Sequence, residues 1–105
     1  MSIEVRLLAN ARRDRDGTLR WLQDREHFSD IQPYLDDFYA TLRFIAENPL
    51  LRREVELGVR RESFATYRYH VWFRTYDDAA VVDVFAVLHH SVDPTVTLTR
   101  IEDSR

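Results

Sequence analysis

The chain has 105 residues, of which 45% are hydrophobic and 31% charged, so it has room for one domain with one hydrophobic core. It contains no cysteine, which excludes disulfide frameworks and cysteine-based metal sites, and we expect neither a metal nor a cofactor. The net charge is −3 although all 15 basic residues are Arg, which argues against strong direct binding to nucleic acid. No apolar run approaches the ~20 residues of a membrane span, and we expect a cytoplasmic protein with no membrane partner.

The first half of the chain predicts a strand followed by two helices. Residues 3–8 are short and apolar-rich, which favours a strand. Residues 11–27 predict a first helix with Asn10 as its N-cap, and with a possible break near Gly17.

The second helix has a much clearer pattern. Apolar side chains recur along one helical face at Ile31, Tyr34, Leu35, Phe38, Leu42, Ile45 and Ala46. Asp30 is the predicted N-cap, and Asn48-Pro49 ends the helix because a residue before proline avoids the α region. The helix is therefore expected over residues 30–47, and a short loop near Phe28 and Ser29 makes the pair an antiparallel hairpin.

The second half of the chain predicts three strands. After a bend at Gly58, residues 59–64, 67–76 and 79–89 are rich in Val, Tyr, Phe and Trp, and Asp77-Asp78 is the turn between the last two. In the last strand, strict alternation places Val82, Val84, Ala86 and Leu88 on one face and Val81, Asp83, Phe85, Val87 and His89 on the other. Both faces are largely apolar, so this strand is predicted to be central. Residues 95–105 alternate at Val96, Leu98 and Ile101, which is typical of a short strand or a loosely packed tail.

This order of elements, together with three local strings, resembles the RelE/ParE toxin superfamily, and in particular its ParE-like branch. The strings are FIAENPLL (44–51), YHVWFR (69–74) and VFAVLHHSVDP (84–94). Such toxins commonly close the second helix with Asn-Pro, end a strand with an aromatic residue and Arg, and end the last strand with Val-Leu-His. The resemblance covers nearly the whole chain. It implies an α+β fold of order β-α-α-β-β-β, in which a helical hairpin packs on a small twisted antiparallel sheet.

The resemblance also implies a function. It implies one toxin domain over residues 1–105, with a C-terminal tail from 94, in a type II toxin–antitoxin module neutralised by a ParD-like antitoxin in a hetero-oligomer. ParE-like members are associated with poisoning DNA gyrase, and RelE-like members cut messenger RNA on the ribosome. The acidic balance and the absence of Lys favour the ParE-like, non-enzymatic branch, although Ser91 and Val92 stand where many ParE-like sequences carry two basic residues. The alternatives are a ribosome-dependent endoribonuclease and an inactive toxin fold that only binds its antitoxin.

A nuclease without a metal needs a base, an acid and donors for the phosphate. The candidates are Arg60, Arg61, Arg68, Arg74, His89 and His90, with Glu54 or Glu62 as the base. Among these, Arg68, Arg74, His89 and His90 are the residues we expect to act if the chain is a nuclease. The structural alternatives are that Arg74 pairs with Asp83 across the hairpin and that His89 hydrogen-bonds the adjacent backbone.

The antitoxin is expected to lay a helix, an extended segment, or both into an apolar groove beside the helical hairpin or along a strand edge. Aromatic and Arg residues dominate interface energies. The candidate partner-binding residues are therefore Trp21, Tyr39, Arg60, Arg68, Trp72 and Arg74. For Trp72, a place in the core is the alternative.

Overall fold

The computed structural model describes residues 3–77 and 80–105; the predicted turn residue Asp78 and the predicted strand start at residue 79 lie outside them. The elements in chain order are β1 (Glu4–Leu7), α1 (Ala9–Asp24), α2 (Ile31–Glu47), β2 (Val59–Ser63), β3 (Tyr69–Thr75), β4 (Val81–His89) and α3 (Pro94–Asp103). A short 3₁₀ turn, Phe28–Asp30, joins the first two helices. Within the described ranges, no helix combines the length and apolarity that a membrane crossing requires.

The helical hairpin is confirmed, with two local corrections in α1. The helix begins after Leu8 rather than at Asn10, which lies in the first turn and accepts a hydrogen bond from Arg13. The predicted break near Gly17 is absent from α1, which runs without interruption to Asp24. One exposed glycine disfavours a helix without ending it, because its backbone still adopts helical angles.

The four strands form one sheet in the order β1-β4-β3-β2, so β4 is central as predicted. The α+β class and the order of the first six elements are confirmed, but the sheet is mixed rather than antiparallel. β2, β3 and β4 alternate in direction, whereas β1 pairs with β4 in parallel, with Val5 opposite Val82. Strand direction is not encoded in an alternating apolar pattern, which explains this error.

β4 contains a β-bulge at Phe85. Trp72 of β3 lies opposite Ala86, but the next residue, Phe73, lies opposite Val84, so Phe85 is the extra residue. An extra residue reverses the alternation of side chains beyond it. The prediction that Val84 and Ala86 share a face is therefore wrong: Val84 packs under the helical hairpin, and Ala86 packs on the opposite face.

The C-terminal tail forms a helix, which corrects the predicted strand or loose tail. The carboxylate of Asp93 caps the helix by accepting the Thr95 N–H at 2.9 Å, and Pro94 occupies the first turn, where a missing N–H does no harm. Ile101 of α3 is buried against the sheet with Trp72 and Phe85. Helices therefore cover both faces of the sheet, the hairpin on one and α3 on the other.

One ion pair connects these two helical layers at the bulge. Asp14 of α1 accepts two hydrogen bonds from Arg100 of α3, at 3.0 and 2.7 Å, and a third from the Val87 N–H at 2.9 Å. Arg100 also donates to the Phe85 carbonyl at 2.9 Å. β1 pairs with β4 only as far as Val84, so these two backbone groups have no partner in β1, and the two side chains satisfy them.

A second carboxylate fixes the loop between β2 and β3. Asp37 of α2, 9% exposed, accepts the backbone N–H groups of Ala65, Thr66 and Tyr67 at 2.9 to 3.0 Å. The Tyr67 hydroxyl donates to Asp30 at 2.8 Å. The loop that precedes β3 is therefore held against the helical hairpin.

We expect alanine substitutions at the two glycines to change the free energy of unfolding in opposite directions. A Cβ added at Gly17 meets no atom within 4 Å, so Gly17→Ala should raise the free energy of unfolding by about 1 kcal/mol through helix propensity alone. Gly58 has φ +78°, a conformation that strains other residues, so Gly58→Ala should lower the free energy of unfolding by about 1 kcal/mol or more. Urea denaturation of both variants measures the effects, and a shift of the same sign for both would contradict the backbone conformations described for the two glycines.

Removing the carboxylate at the bulge should destabilise the protein strongly. The side chains of Asp14 and Arg100 are only 17% and 18% accessible, so Asp14→Ala leaves a poorly hydrated guanidinium without its carboxylate partner and the Val87 N–H without its acceptor. We expect a loss of about 3 kcal/mol in the free energy of unfolding. Asp16→Ala is the matched control on the same helix, since Asp16 is 54% accessible and its pairing with Arg15 contributes less than about 1 kcal/mol. Equal losses for the two variants would contradict the role given to Asp14.

Candidate functional site

A groove of about 790 Å³ lies between α1 and the ends of β3 and β4. We call it the α1 groove; its rim includes Arg13, Gly17, Trp21, Arg68, Tyr69 and His89. Its floor is apolar and includes the buried residues Leu22, Tyr34 and Val87. A groove of this volume with an apolar floor has the usual character of a binding site.

The rim of the α1 groove carries exposed aromatic and cationic side chains. Trp21 is 47% exposed, which is unusual for an indole, and the guanidinium of Arg25 lies 5.0 Å from its ring centre. Arg13 donates to neutral Asn10, and Arg68 is exposed. Within residues 3–77 and 80–105, no carboxylate forms an ion pair with Arg13, Arg25 or Arg68. The rim therefore offers a large apolar contact surrounded by free positive charge.

The structure does not bring the six candidate partner-binding residues to one surface. Trp21 and Arg68 line the α1 groove. Tyr39 is exposed on α2, where its hydroxyl accepts a hydrogen bond from Arg15 at 3.3 Å. Arg60 lies on the edge strand β2 and donates to the Arg52 carbonyl and to Glu54. Of these four, Trp21 and Arg68 share a site, and the partner contacts of all six candidates remain predictions.

The other two candidates lie on the opposite side of the sheet. Trp72 is 8% exposed and packs under α3, as the core alternative predicted. Arg74 donates to the Ser104 hydroxyl at 2.7 Å and to the Ile101 carbonyl at 3.5 Å.

The predicted ion pair between Arg74 and Asp83 does not form, because Arg6 takes the Asp83 carboxylate. The two residues are opposite each other in the register of β3 and β4, but Arg6 of β1 reaches Asp83 first, with two hydrogen bonds at 2.6 and 3.0 Å. Tyr76 donates a third at 2.6 Å. The hydrogen bond from Arg6 holds the pKa of the Asp83 carboxyl below its ordinary value, although burial acts in the opposite direction. The parallel pairing of β1, which the sequence did not reveal, supplies this competing Arg.

A smaller cleft of about 400 Å³ lies on the opposite face, between α3 and the strands β2 and β3. We call it the α3 cleft. His70 and His90 stack in it with ring centres 3.9 Å apart, and Arg61 lies 5.6 Å above the ring of Trp72. His70 is also hydrogen-bonded to the Ser63 hydroxyl at 2.9 Å. Burial lowers the pKa of His70 to about 4, with Arg61 and His90 adding to the effect.

The four residues proposed for a nuclease do not meet. Arg68, His89 and His90 lie together at one end of β3, where the His90 N–H donates to the Arg68 carbonyl at 2.8 Å. His89 of β4 lies opposite Tyr69 of β3. Arg74 is five residues beyond Tyr69 in β3, so at the usual rise per residue it is on the order of 17 Å from Tyr69. Arg74 and His89 therefore cannot act on one phosphate group.

The two adjacent histidines stack against different faces of the sheet, as strand geometry predicts, and both border the α3 cleft. His89 contacts Tyr69 on the hairpin face, and His90 stacks on His70 on the α3 face. The Ser91 N–H donates to His89 Nδ1 at 3.1 Å, which confirms the hydrogen bond to the adjacent backbone. The sequence pattern did not indicate His70 as a member of the cleft, because its pairing with His90 depends on the register of β3 and β4.

No protein-family model matches this chain, and no curated protein matches it. Several solved structures do, and two of them are informative about the fold. The chain is similar to a chain of the chromosomal ParDE TA system from P. aeruginosa, with a TM-score of 0.70 and 11% identity over 83% of this chain and 95% of that chain. It is also similar to a chain of the toxin–antitoxin complex RelBE2 from Mycobacterium tuberculosis, with a TM-score of 0.52 and 23% identity over 86% of this chain and 100% of that chain. At these identities the likeness shows the fold alone: this chain shares the fold of the matched chains in the ParDE and RelBE2 structures, as the sequence resemblance led us to expect.

The environment of His70 predicts a distinctive pH dependence. Its lowered pKa means that the unfolded chain binds a proton at His70 more readily than the folded chain between about pH 6.5 and pH 4. This residue's contribution to stability is therefore fully present above pH 6.5 and is lost as the pH falls towards 4. NMR titration of the His70 ring should show a midpoint near pH 4, and His70→Gln should flatten the fall in stability over that range. A midpoint near 6.5 would contradict the burial of this ring.

Proposed function

We propose that this chain is the toxin of a type II toxin–antitoxin module. The observation that carries the proposal is the fold, which the chain shares over more than four-fifths of its length with chains of the ParDE and RelBE2 structures. The three sequence strings that resemble RelE/ParE toxins lie at defined places in this fold. The first spans the end of α2, the second forms most of β3, and the third spans the end of β4. The partner is an antitoxin of the ParD-like type, bound in a hetero-oligomer.

The α1 groove is the surface proposed to receive the antitoxin. Interfaces are centred on buried aromatic anchors with Arg residues around them, and Trp21, Arg25 and Arg68 provide that combination. The half-exposed ring of Trp21 extends the apolar floor of the groove into a contiguous apolar surface, which is the kind of surface that marks an interaction site.

The proposed target is DNA gyrase, and the proposed mode of action is inhibition without catalysis by this chain. The net charge of −3 does not favour docking on ribosomal RNA. The four residues proposed for a nuclease are divided between two ends of β3. The likeness to the ParDE structure has the higher TM-score of the two, which supports the ParE-like branch.

A ribosome-dependent endoribonuclease is the second candidate, and the α3 cleft favours it. The cleft brings a guanidinium, Arg61, within one site with the two imidazoles of His70 and His90. A neutral imidazole can accept a proton from a 2′-hydroxyl, and a guanidinium can stabilise a phosphate.

Expression of the chain alone should arrest bacterial growth. Co-expression of the antitoxin, sought as the product of the adjoining reading frame, should restore growth. The purified chain should inhibit supercoiling by gyrase and should leave messenger RNA intact on programmed ribosomes. Absence of growth arrest would contradict the toxin proposal and support an inactive fold; growth arrest with RNA cleavage and normal supercoiling would contradict the gyrase target.

A double variant tests whether the α3 cleft acts in toxicity. Arg61→Gln with His70→Gln removes the guanidinium and the neutral imidazole from a partly exposed site, so the fold should persist. We expect growth arrest to be undiminished, within about twofold in the inducer concentration required. The matched control is Arg43→Gln with His27→Gln, two exposed residues outside the cleft. Loss of arrest in the first variant alone, at an unchanged melting temperature, would favour the nuclease.

A further inference from the structure

Gly17 is a residue whose presence the fold of this chain does not explain. It lies in the middle of α1, where glycine is less favourable than alanine, and it does not adopt a positive φ. A Cβ at this position would meet no atom within 4 Å. Close packing inside the protein therefore does not require glycine here, and the missing side chain leaves open space on the exposed surface of α1.

The position of Gly17 in the α1 groove indicates what that requirement is. Arg13, Gly17 and Trp21 are spaced by four residues, so they follow one another along the same face of α1, and all three line the groove. Gly17 forms a notch between a long cationic side chain and a large aromatic one. A notch of this kind allows another backbone to approach a helix closely.

Backbone hydrogen bonding favours a helix over an extended segment as the occupant. The backbone groups of α1 are paired within the helix, and β3 has a neighbouring strand on both sides. β1 covers the edge of β4 only as far as Val84, but beyond that point the Phe85 carbonyl and the Val87 N–H are already bonded to Arg100 and Asp14. An extended segment would find few backbone partners in this groove, whereas a helix satisfies its own.

The charges around the groove define the polar face of that helix. Arg13 and Arg68, which line the groove, are free of ion pairs within the described part of the chain. Of the two carboxylates that line the groove, Asp14 is neutralised by Arg100, and Asp30 accepts the Tyr67 hydroxyl. Positive charge is therefore in excess at the rim, and a complementary segment carries Asp or Glu beside its apolar stripe.

We propose that an acidic amphipathic helix of the partner crosses α1 at Gly17, with its apolar face against Trp21 and a small residue of its own seated at the notch. The inference rests on the proposed function in so far as the partner is the antitoxin. It goes further in naming the shape, the charge and the crossing point of the bound segment.

A displayed library of 20-residue helical peptides tests the inference and does not require the antitoxin to be identified first. The apolar stripe of each peptide is randomised among Ala, Ser, Leu and Phe, and the flanking positions are randomised among Glu, Gln and Lys. Selection against the whole chain should enrich Glu at the flanks and Ala or Ser at one position of the stripe. Enrichment of Lys, or failure to enrich any helical peptide, would overturn the proposal.

Substitutions at Gly17 provide the decisive comparison for the best selected peptide. Gly17→Leu should weaken binding by at least about 30-fold in calorimetry, and Gly17→Ala by about tenfold while raising the melting temperature by roughly 4 °C. Gln23→Leu is the matched control, because it places the same side chain at an exposed position of α1 outside the groove. Equal affinity of Gly17→Leu and Gln23→Leu would overturn the crossing at Gly17.

The same variants separate this inference from the proposed function. Toxicity of Gly17→Leu that persists while the antitoxin no longer restores growth would support both. Undisturbed rescue of Gly17→Leu by the antitoxin would overturn the inference and leave the toxin proposal intact. Absence of toxicity in the unmodified chain would contradict the toxin proposal, while the peptide comparison would still decide the groove.

Discussion

The ion pair between Asp14 and Arg100, placed at the bulge in β4, holds the two helical layers and the central strand together. β1 ends opposite Val84, so the Phe85 carbonyl and the Val87 N–H have no partner in β1, and these side chains satisfy them from opposite sides of the sheet. A helix from each layer is thereby fixed to the same point. Charged groups with less than a fifth of their surface accessible are costly to bury, so each is stable there only with its partner present.

The bulge also decides which residues face which site. Beyond Phe85 the alternation reverses, so that Val87 lies in the floor of the α1 groove, while His90 reaches the α3 cleft and stacks on His70. Because of this one extra residue, Val87 faces the α1 groove on the hairpin side of the sheet, and His90 faces His70 on the other side. Because Asp14 lines the groove and Arg100 belongs to α3, the two faces share a structural element at the centre of the sheet.

Periodicity in the sequence was sufficient for α2, for the central position of β4 and for the α+β class, because long apolar patterns report burial directly. Periodicity was insufficient for the pairing of β1, which places Arg6 beside Asp83, while Arg74 hydrogen-bonds Ser104 at the end of the C-terminal helix. It was insufficient for the bulge as well, since no local residue preference marks Phe85. Trp21 and Arg68, chosen by residue type, do line one groove, whereas the pairing of His70 with His90 depends on a register that only the folded sheet defines.

Binding of the antitoxin along α1 is the proposal from which the roles of Trp21, Arg68 and Gly17 follow. Hydrogen–deuterium exchange of the chain, free and bound to the antitoxin that neutralises it, tests this binding mode directly. We expect slower exchange on binding in the second half of α1, in the loop before β3 and at the end of β4, with little change in α3. Protection confined to the connector between α2 and β2, or to α3, would contradict it.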